Sequence, residues 1–249
     1  MNTSRSQDSA LISHLPARER LIVALDLPDA ARVRAFLPRL EGKCRWVKIG
    51  LELFIAAGPA IVEELVGSGY SVFLDLKLHD IPNTVAGAVR SASTLGASLL
   101  TVHASGGPQM LSAALEAAAA QPHAPKLLAV TVLTSMNAAQ LTEIGVSREP
   151  GAQVEALARM ALAAGMRGFV CSPEETARLR EICGAETTLV IPGIRPAGAA
   201  RGDQQRVATP ADALRAGASS LVVGRPIVQA ENPAEAAAKI MAEMDAALA

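Results

Sequence analysis

The chain has 249 residues, a formal net charge of −1 and only 2% aromatic residues. It therefore has neither the basic field that holds a polyanion nor many flat rings on which bases could stack. Half of it is hydrophobic and 19% is charged, the balance of a packed globule.

No apolar run approaches the ~20 residues of a membrane-spanning helix. Cys44, Cys171 and Cys183 are scattered, odd in number and outside any metal-ligand spacing, which suits free thiols in a reducing compartment. The expectation is a cytoplasmic protein with no nucleic-acid or membrane partner. The opening MNTSRSQDSALISHLPARER is polar and lacks the continuous apolar segment of a secretory signal. Residues 1–19 are expected to form a disordered extension, and residues 20–249 a single domain.

LIVALDL (21–27) is the first short apolar run of strand composition. WVKIG (46–50), SVFLDLKL (71–78), LLTVHAS (99–105), LLAVTVLTS (127–135), GFVCS (168–172), TLVIPGI (188–194) and SLVVGRP (220–226) follow it. Helix-period segments such as DAARVRAFLPRL, PNTVAGAVRSASTLG and VEALARMALAAG separate them, and NPAEAAAKIMAEMDAALA closes the chain. Asp29, Asn83 and Thr209 stand where N-caps belong, and Pro210 suits a first helical position. Gly69, Gly96, Gly165 and Gly217 punctuate helix ends. The longest crossover, between the fifth and sixth strands, has room for an extra helix at NAAQLTEIG. Eight βα units in about 230 residues match a (β/α)8 TIM barrel, and no GxGxxG follows the first strand as it would in a dinucleotide-binding open sheet.

In such a barrel, functional groups gather at the C-terminal ends of the strands. The unusual polar residues fall there: Asp26, Lys48, Asp75, Lys77, His103, Thr134, Ser135, Arg195, Gly224 and Arg225. Strand alternation turns Leu74, Leu76 and Leu78 towards the helices and Asp75 and Lys77 into the barrel mouth; Asp26 and Lys48 face inward by the same count. One Asp–Lys pair could simply plug a barrel, but apolar residues of equal volume would do that at lower cost. Several converging charges point instead to a tuned site. VVGRPI (222–227) and the long Gly/Pro-rich loop IPGIRPAGAARGDQQRVATP (191–210) match the loops that hold phosphate in this fold, with Gly224 permitting close approach and Arg225 offering a fork of donors. Loops of that length are often lids. His103 fits either a pocket wall or a hydrogen-bonded core position, His79 and His123 the surface, and Trp46 packing.

From Asp75 to Thr84 the chain reads DLKLHDIPNT, which matches without a gap the Asp-x-Lys-x-x-Asp-Ile-Pro-Asn-Thr signature of the orotidine 5′-phosphate decarboxylase family. LDLPD, VKIG, TVLTS, IPGIRP and VGRPI extend the resemblance over nearly the whole chain from about Leu21. The resemblance implies removal of CO2 from orotidine 5′-monophosphate to give uridine 5′-monophosphate, without metal or organic cofactor. It implies catalytic roles for Lys77, Asp75, Asp80 and Lys48. Asp26 and Lys48 would bind ribose hydroxyls, Thr134 and Ser135 would approach the ribose or pyrimidine, and Pro192 and Thr84 would also contact the substrate. Arg195, Gln204, Gly224 and Arg225 would hold the phosphate. It also implies a homodimer with shared active sites, the Asp80 and Thr84 of one subunit reaching into the other's site. Two other readings remain open from the residues alone: a metal-dependent sugar-phosphate decarboxylase or synthase on the same barrel, and a non-catalytic barrel that binds a phosphate ligand.

Overall fold

Eight parallel strands close on themselves in chain order in the computed structural model, which describes residues 15–196 and 207–248. They are β1 (Leu21–Ala24), β2 (Trp46–Ile49), β3 (Ser71–Leu78), β4 (Leu99–His103), β5 (Lys126–Val130), β6 (Gly168–Val170), β7 (Thr188–Ile191) and β8 (Ser220–Val223). The ring closes where Leu21, Ile22 and Val23 pair with Leu221, Val222 and Val223. The expected α/β barrel is therefore what the chain forms. Most strands end earlier than the apolar runs suggest, because the last residues of each run leave the ladder to build the mouth.

The connecting helices are α1 (Ala30–Phe36), α2 (Leu51–Ala57), α3 (Ala60–Gly67), α4 (Pro82–Ser93), α5 (Gly107–Ala119), α6 (Ala138–Glu143), α7 (Pro150–Ala163), α8 (Thr176–Cys183), α9 (Pro210–Arg215), α10 (Arg225–Val228) and α11 (Pro233–Leu248). Asp29 caps α1 by accepting from the Arg32 amide, and Thr209 caps α9 with Pro210 in the first turn. The extra helix in the fifth crossover is α6, closed by a reciprocal Asn137–Gln140 capping box. Asn83 is not a cap. Pro82 already occupies the first turn of α4, so the cap position falls on Ile81.

Period-two alternation splits the apolar residues into two cores. Val23, Val47, Leu74, Leu100, Ala129, Phe169, Leu189 and Leu221 face the helices. Ile22, Ala24, Phe73, Leu99, Leu128, Val190 and Val222, with Trp46 and Val170 against them, fill the barrel interior. Trp46 is thus a packing residue, as expected. At β5 the inward Lys126 donates from Nζ to Thr188 Oγ1 over 2.6 Å, and burial pushes its ammonium pKa down.

Ordered structure begins upstream of the expected boundary at residue 20. Ala17–Glu19 form a 3-10 turn in which Ala17 is fully buried and donates its amide to Asp245 Oδ1 at 3.0 Å. The alanine packs under the barrel, which a solvated extension would not allow. Residues 1–14 of that extension lie outside the described residues. Among the described residues no helix is long and apolar enough to cross a membrane.

Candidate active site

Four side chains from the first three strands converge at the C-terminal mouth. On β1 the inward positions are Ile22 and Ala24, and the next one is Asp26, two residues past the ladder, with a largely exposed side chain. On β2 the inward residue is Lys48, whose side chain is only 11% exposed. Its Nζ donates to Asp26 Oδ1 at 3.2 Å and stands 3.6 Å from Asp75 Oδ2. From β3, Lys77 Nζ donates to the same Asp75 Oδ2 at 2.8 Å. Asp75 is therefore clamped between two ammonium groups.

The clamp governs the carboxylate's charge. Burial alone would push the Asp75 pKa up, but Lys48, Lys77 and the hydrogen bonds from Lys77 and Thr101 outweigh it and hold the pKa below the ordinary carboxylate range. With the Asp75 side chain 13% exposed and Lys48 11%, water screens this trio weakly. Lys77, at 31%, is the member that opens towards the cavity.

Two glycines make room for the cluster. A Cβ at Gly50 would sit 3.1 Å from Lys48 Nζ, and one at Gly224 would sit 3.2 Å from Asp26 Oδ2 and 3.5 Å from the Ala24 Cβ. A side chain at either position would press on these groups, which would have to give by a few tenths of an ångström.

The four residues form one wall of a cavity of about 240 Å³. Ala24, Phe73, Val130, Val170 and Val222 make an apolar floor, and Thr134, Pro192, Gly193, Arg195, Gly224 and Arg225 complete the rim, Gly224 lying next to Asp26 because β8 pairs with β1. Arg195 is buried; its amide donates to Ala208 O at 2.9 Å and its Nη1 to Ile194 O at 2.8 Å. An isolated parallel bridge between Ile194 and Ala208 fixes both ends of the loop after β7. The cavity thus combines an Asp/Lys array, an apolar floor and two arginines on its rim, a lining suited to a flat polar ring linked to an anionic group.

Among the expected site residues, Asp26, Lys48, Asp75, Lys77, Thr134, Pro192, Arg195, Gly224 and Arg225 line this cavity. Asp80, Thr84 and Ser135 do not: all three are exposed, and the Asp80 Oδ1 accepts from the Ile81 amide. Among the described residues no ion pair joins Asp80 to Lys77 within one chain. Gln204 and most of the 195–206 loop lie outside the described residues. His103 is half-buried behind the wall, its ring 5.4 Å from that of His79. Burial, then His79 and Lys77, push its pKa down. Among the described residues no three His, Cys, Asp or Glu side chains are grouped as metal ligands.

Thr101 and the apolar floor are absent from the sequence-derived site. The floor follows from strand parity, since each member is the inward residue of its strand. Thr101 carried no motif to mark it.

Fold and site together define a single-barrel α/β protein whose mouth concentrates two lysines and two carboxylates beside an arginine-edged cavity. Residues 19–240 match the model of the orotidine 5′-phosphate decarboxylase / HUMPS family. The chain belongs to that family. It is 55% identical over 233 residues, 94% of its length, to an orotidine 5′-phosphate decarboxylase of Halorhodospira halophila, covering 99% of that protein. Its match to that of Opitutus terrae is 55% over 226 residues, covering 90% of this chain and 97% of the relative. Among solved structures, an orotidine 5′-phosphate decarboxylase from Lactobacillus acidophilus superposes with a TM-score of 0.82 at 41% identity, over 91% of this chain and 99% of that one.

Proposed function

We propose that the chain converts orotidine 5′-monophosphate to uridine 5′-monophosphate and CO2, with Lys77 as the proton donor to C6. One observation carries the reading beyond family membership: the Lys77 ammonium, 2.8 Å from a largely buried carboxylate, faces a ring-sized cavity that Arg195 and Arg225 also line.

The reaction explains why charge occupies a strand end. Breaking the C6–carboxylate bond leaves an electron pair on a vinyl carbon that cannot delocalise well. An ammonium already fixed beside that carbon stabilises the growing charge and then transfers its proton to the same pair. Lys77 leaves the step neutral and regains a proton from solvent. The step is redox-neutral, and in the proposed route the Lys77 ammonium takes the charge-stabilising part that a metal or organic cofactor would otherwise play. Fixed dipoles of this kind act mainly in the transition state, where they raise turnover.

Asp26 and Lys48 are assigned to the ribose hydroxyls, and Thr134, Ser135 and Pro192 to the ribose and pyrimidine. Arg195, Gln204, Gly224 and Arg225 are assigned to the phosphate. Asp80 and Thr84 act on the site of a second copy, so the working unit is a homodimer, which we place in the cytoplasm. Their exposure in one chain supports this, as do the exposed apolar side chains Ile81 (66%), three residues past β3, and Ile55 (79%), on α2.

The test is an absorbance assay of the purified chain on orotidine 5′-monophosphate, run with and without exhaustive chelation. Equal decarboxylation in both is expected. No turnover of the nucleotide, or turnover lost on chelation and restored by a divalent ion, would overturn the proposal.

A further inference from the structure

We propose that Thr101, on β4, is a positioning residue of this reaction: its hydroxyl replaces a missing strand partner and fixes Asp75 and Lys77 relative to each other. The inference rests on the decarboxylase reading for its kinetic consequences, but its structural basis is independent of any substrate.

The β3–β4 ladder is interrupted at the site. Phe73 and Leu74 pair with Leu99 and Leu100, but the next pairing is Leu78 with Val102. Three residues of β3, Asp75, Leu76 and Lys77, therefore stand against the single residue Thr101. Regular pairing would leave one residue there, so β3 carries two extra. An even insertion preserves the alternation of faces, which is why Leu76 and Leu78 still pack outward with Leu74 while Asp75 and Lys77 both reach the cavity. The detour forces Lys77 to φ +50°, the left-handed region, which costs a residue with a Cβ about 1–3 kcal/mol and persists only where the surroundings hold it.

Thr101 supplies that hold. It is fully buried. Its Oγ1 accepts the Lys77 backbone N–H at 2.8 Å and donates its own proton to Asp75 Oδ1 at 3.0 Å. With the Lys77 amide on the oxygen, the hydroxyl proton is directed at the carboxylate. One hydroxyl thus joins the strained backbone of the lysine to the carboxylate that its ammonium grips. Lys48, Lys77 and His103 are the charged and titratable groups that act on Asp75, and Thr101 is the neutral donor on its remaining face. Thr101 does not line the cavity, so it contributes through geometry and not through contact with the nucleotide.

Thr101→Val keeps the branched shape and deletes the bond. Kcat is expected to fall by about 10- to 100-fold, because a misplaced reacting group costs rate steeply, while KM stays within about 3-fold because the ribose and phosphate contacts are untouched. Thr101→Ser retains the hydroxyl and should stay within about 3-fold of wild type in kcat, the loss being one methyl group and not the bond. The Asp75 carboxyl, followed by 13C NMR titration, should move to a higher pKa in Thr101→Val and not in Thr101→Ser. Thr101→Ala removes the same hydroxyl and should reproduce both effects, which keeps the test open if the valine variant does not fold. An unshifted Asp75 with wild-type kcat in Thr101→Val, or a serine variant as impaired as the valine one, would overturn the role. Failure of the wild-type chain to decarboxylate the nucleotide would instead sink the functional reading, and the Asp75 titration would then decide the positioning role alone.

Discussion

Asp75 is ionised because two ammonium groups and a hydroxyl outweigh its burial, and the pH dependence of the cluster follows. Its depressed pKa contributes stability that is fully present above the unfolded value near 3.8 and is lost as pH falls through the lower folded value. His103, behind the same wall, acts at milder pH. Burial beside His79 and Lys77 favours its neutral form, so the unfolded chain binds its proton more readily below 6.5. Stability from neutral His103 is therefore present above that pH and lost on acidification through it. Thermal unfolding of His103→Gln against wild type should show the wild type losing more stability as pH drops below about 6.5; parallel pH profiles would contradict this. At this scale the charges were legible because a lysine and an aspartate within an apolar strand, with a second aspartate just past its end, have few structural uses. The Thr101 hydroxyl was not, since a threonine in a strand is ordinary and only the interrupted ladder gives it a task.

Strand β3 was read with its observed bounds, Ser71–Leu78, and the faces of its leucines and charges were correct although the path was not regular. Alternation survived only because the insertion is of even length; an odd one would have turned Lys77 away from the cavity. Strand ends elsewhere were over-extended, since composition does not reveal where the last ladder hydrogen bond lies. LLAVTVLTS leaves the ladder after Val130, which frees Thr134 for the rim. At β6 the constraint is backbone approach. A Cβ on Gly168 would stand 2.8 Å from the carbonyl oxygen of Leu127 and 2.6 Å from the Leu128 Cδ2. Gly168→Ala should cost about 1–3 kcal/mol by overpacking without changing KM, measured by urea unfolding and steady-state kinetics. An unchanged unfolding midpoint would show that β5 and β6 can separate freely.

Across the molecule, a closed parallel barrel leaves the C-terminal mouth as the place where groups from several strands can meet, and β1, β2 and β3 deliver the four charges while β5, β7 and β8 deliver the rim. The eightfold repeat made the barrel legible, whereas the relation between copies is not encoded in any periodicity. If each site takes Asp80 from a second copy, Asp80→Asn and Lys77→Ala chains should each be inactive alone, and an equimolar mixture after subunit exchange should recover about a quarter of wild-type activity, since half the dimers would carry one intact site. No recovery despite verified exchange would confine each site to one chain. The account rests above all on proton delivery by one amine. Single-turnover formation of uridine 5′-monophosphate by Lys77→Ala at saturating substrate measures it directly. We predict a loss of at least about 1,000-fold with the nucleotide still bound and the fold intact; turnover near that of the wild type would contradict it.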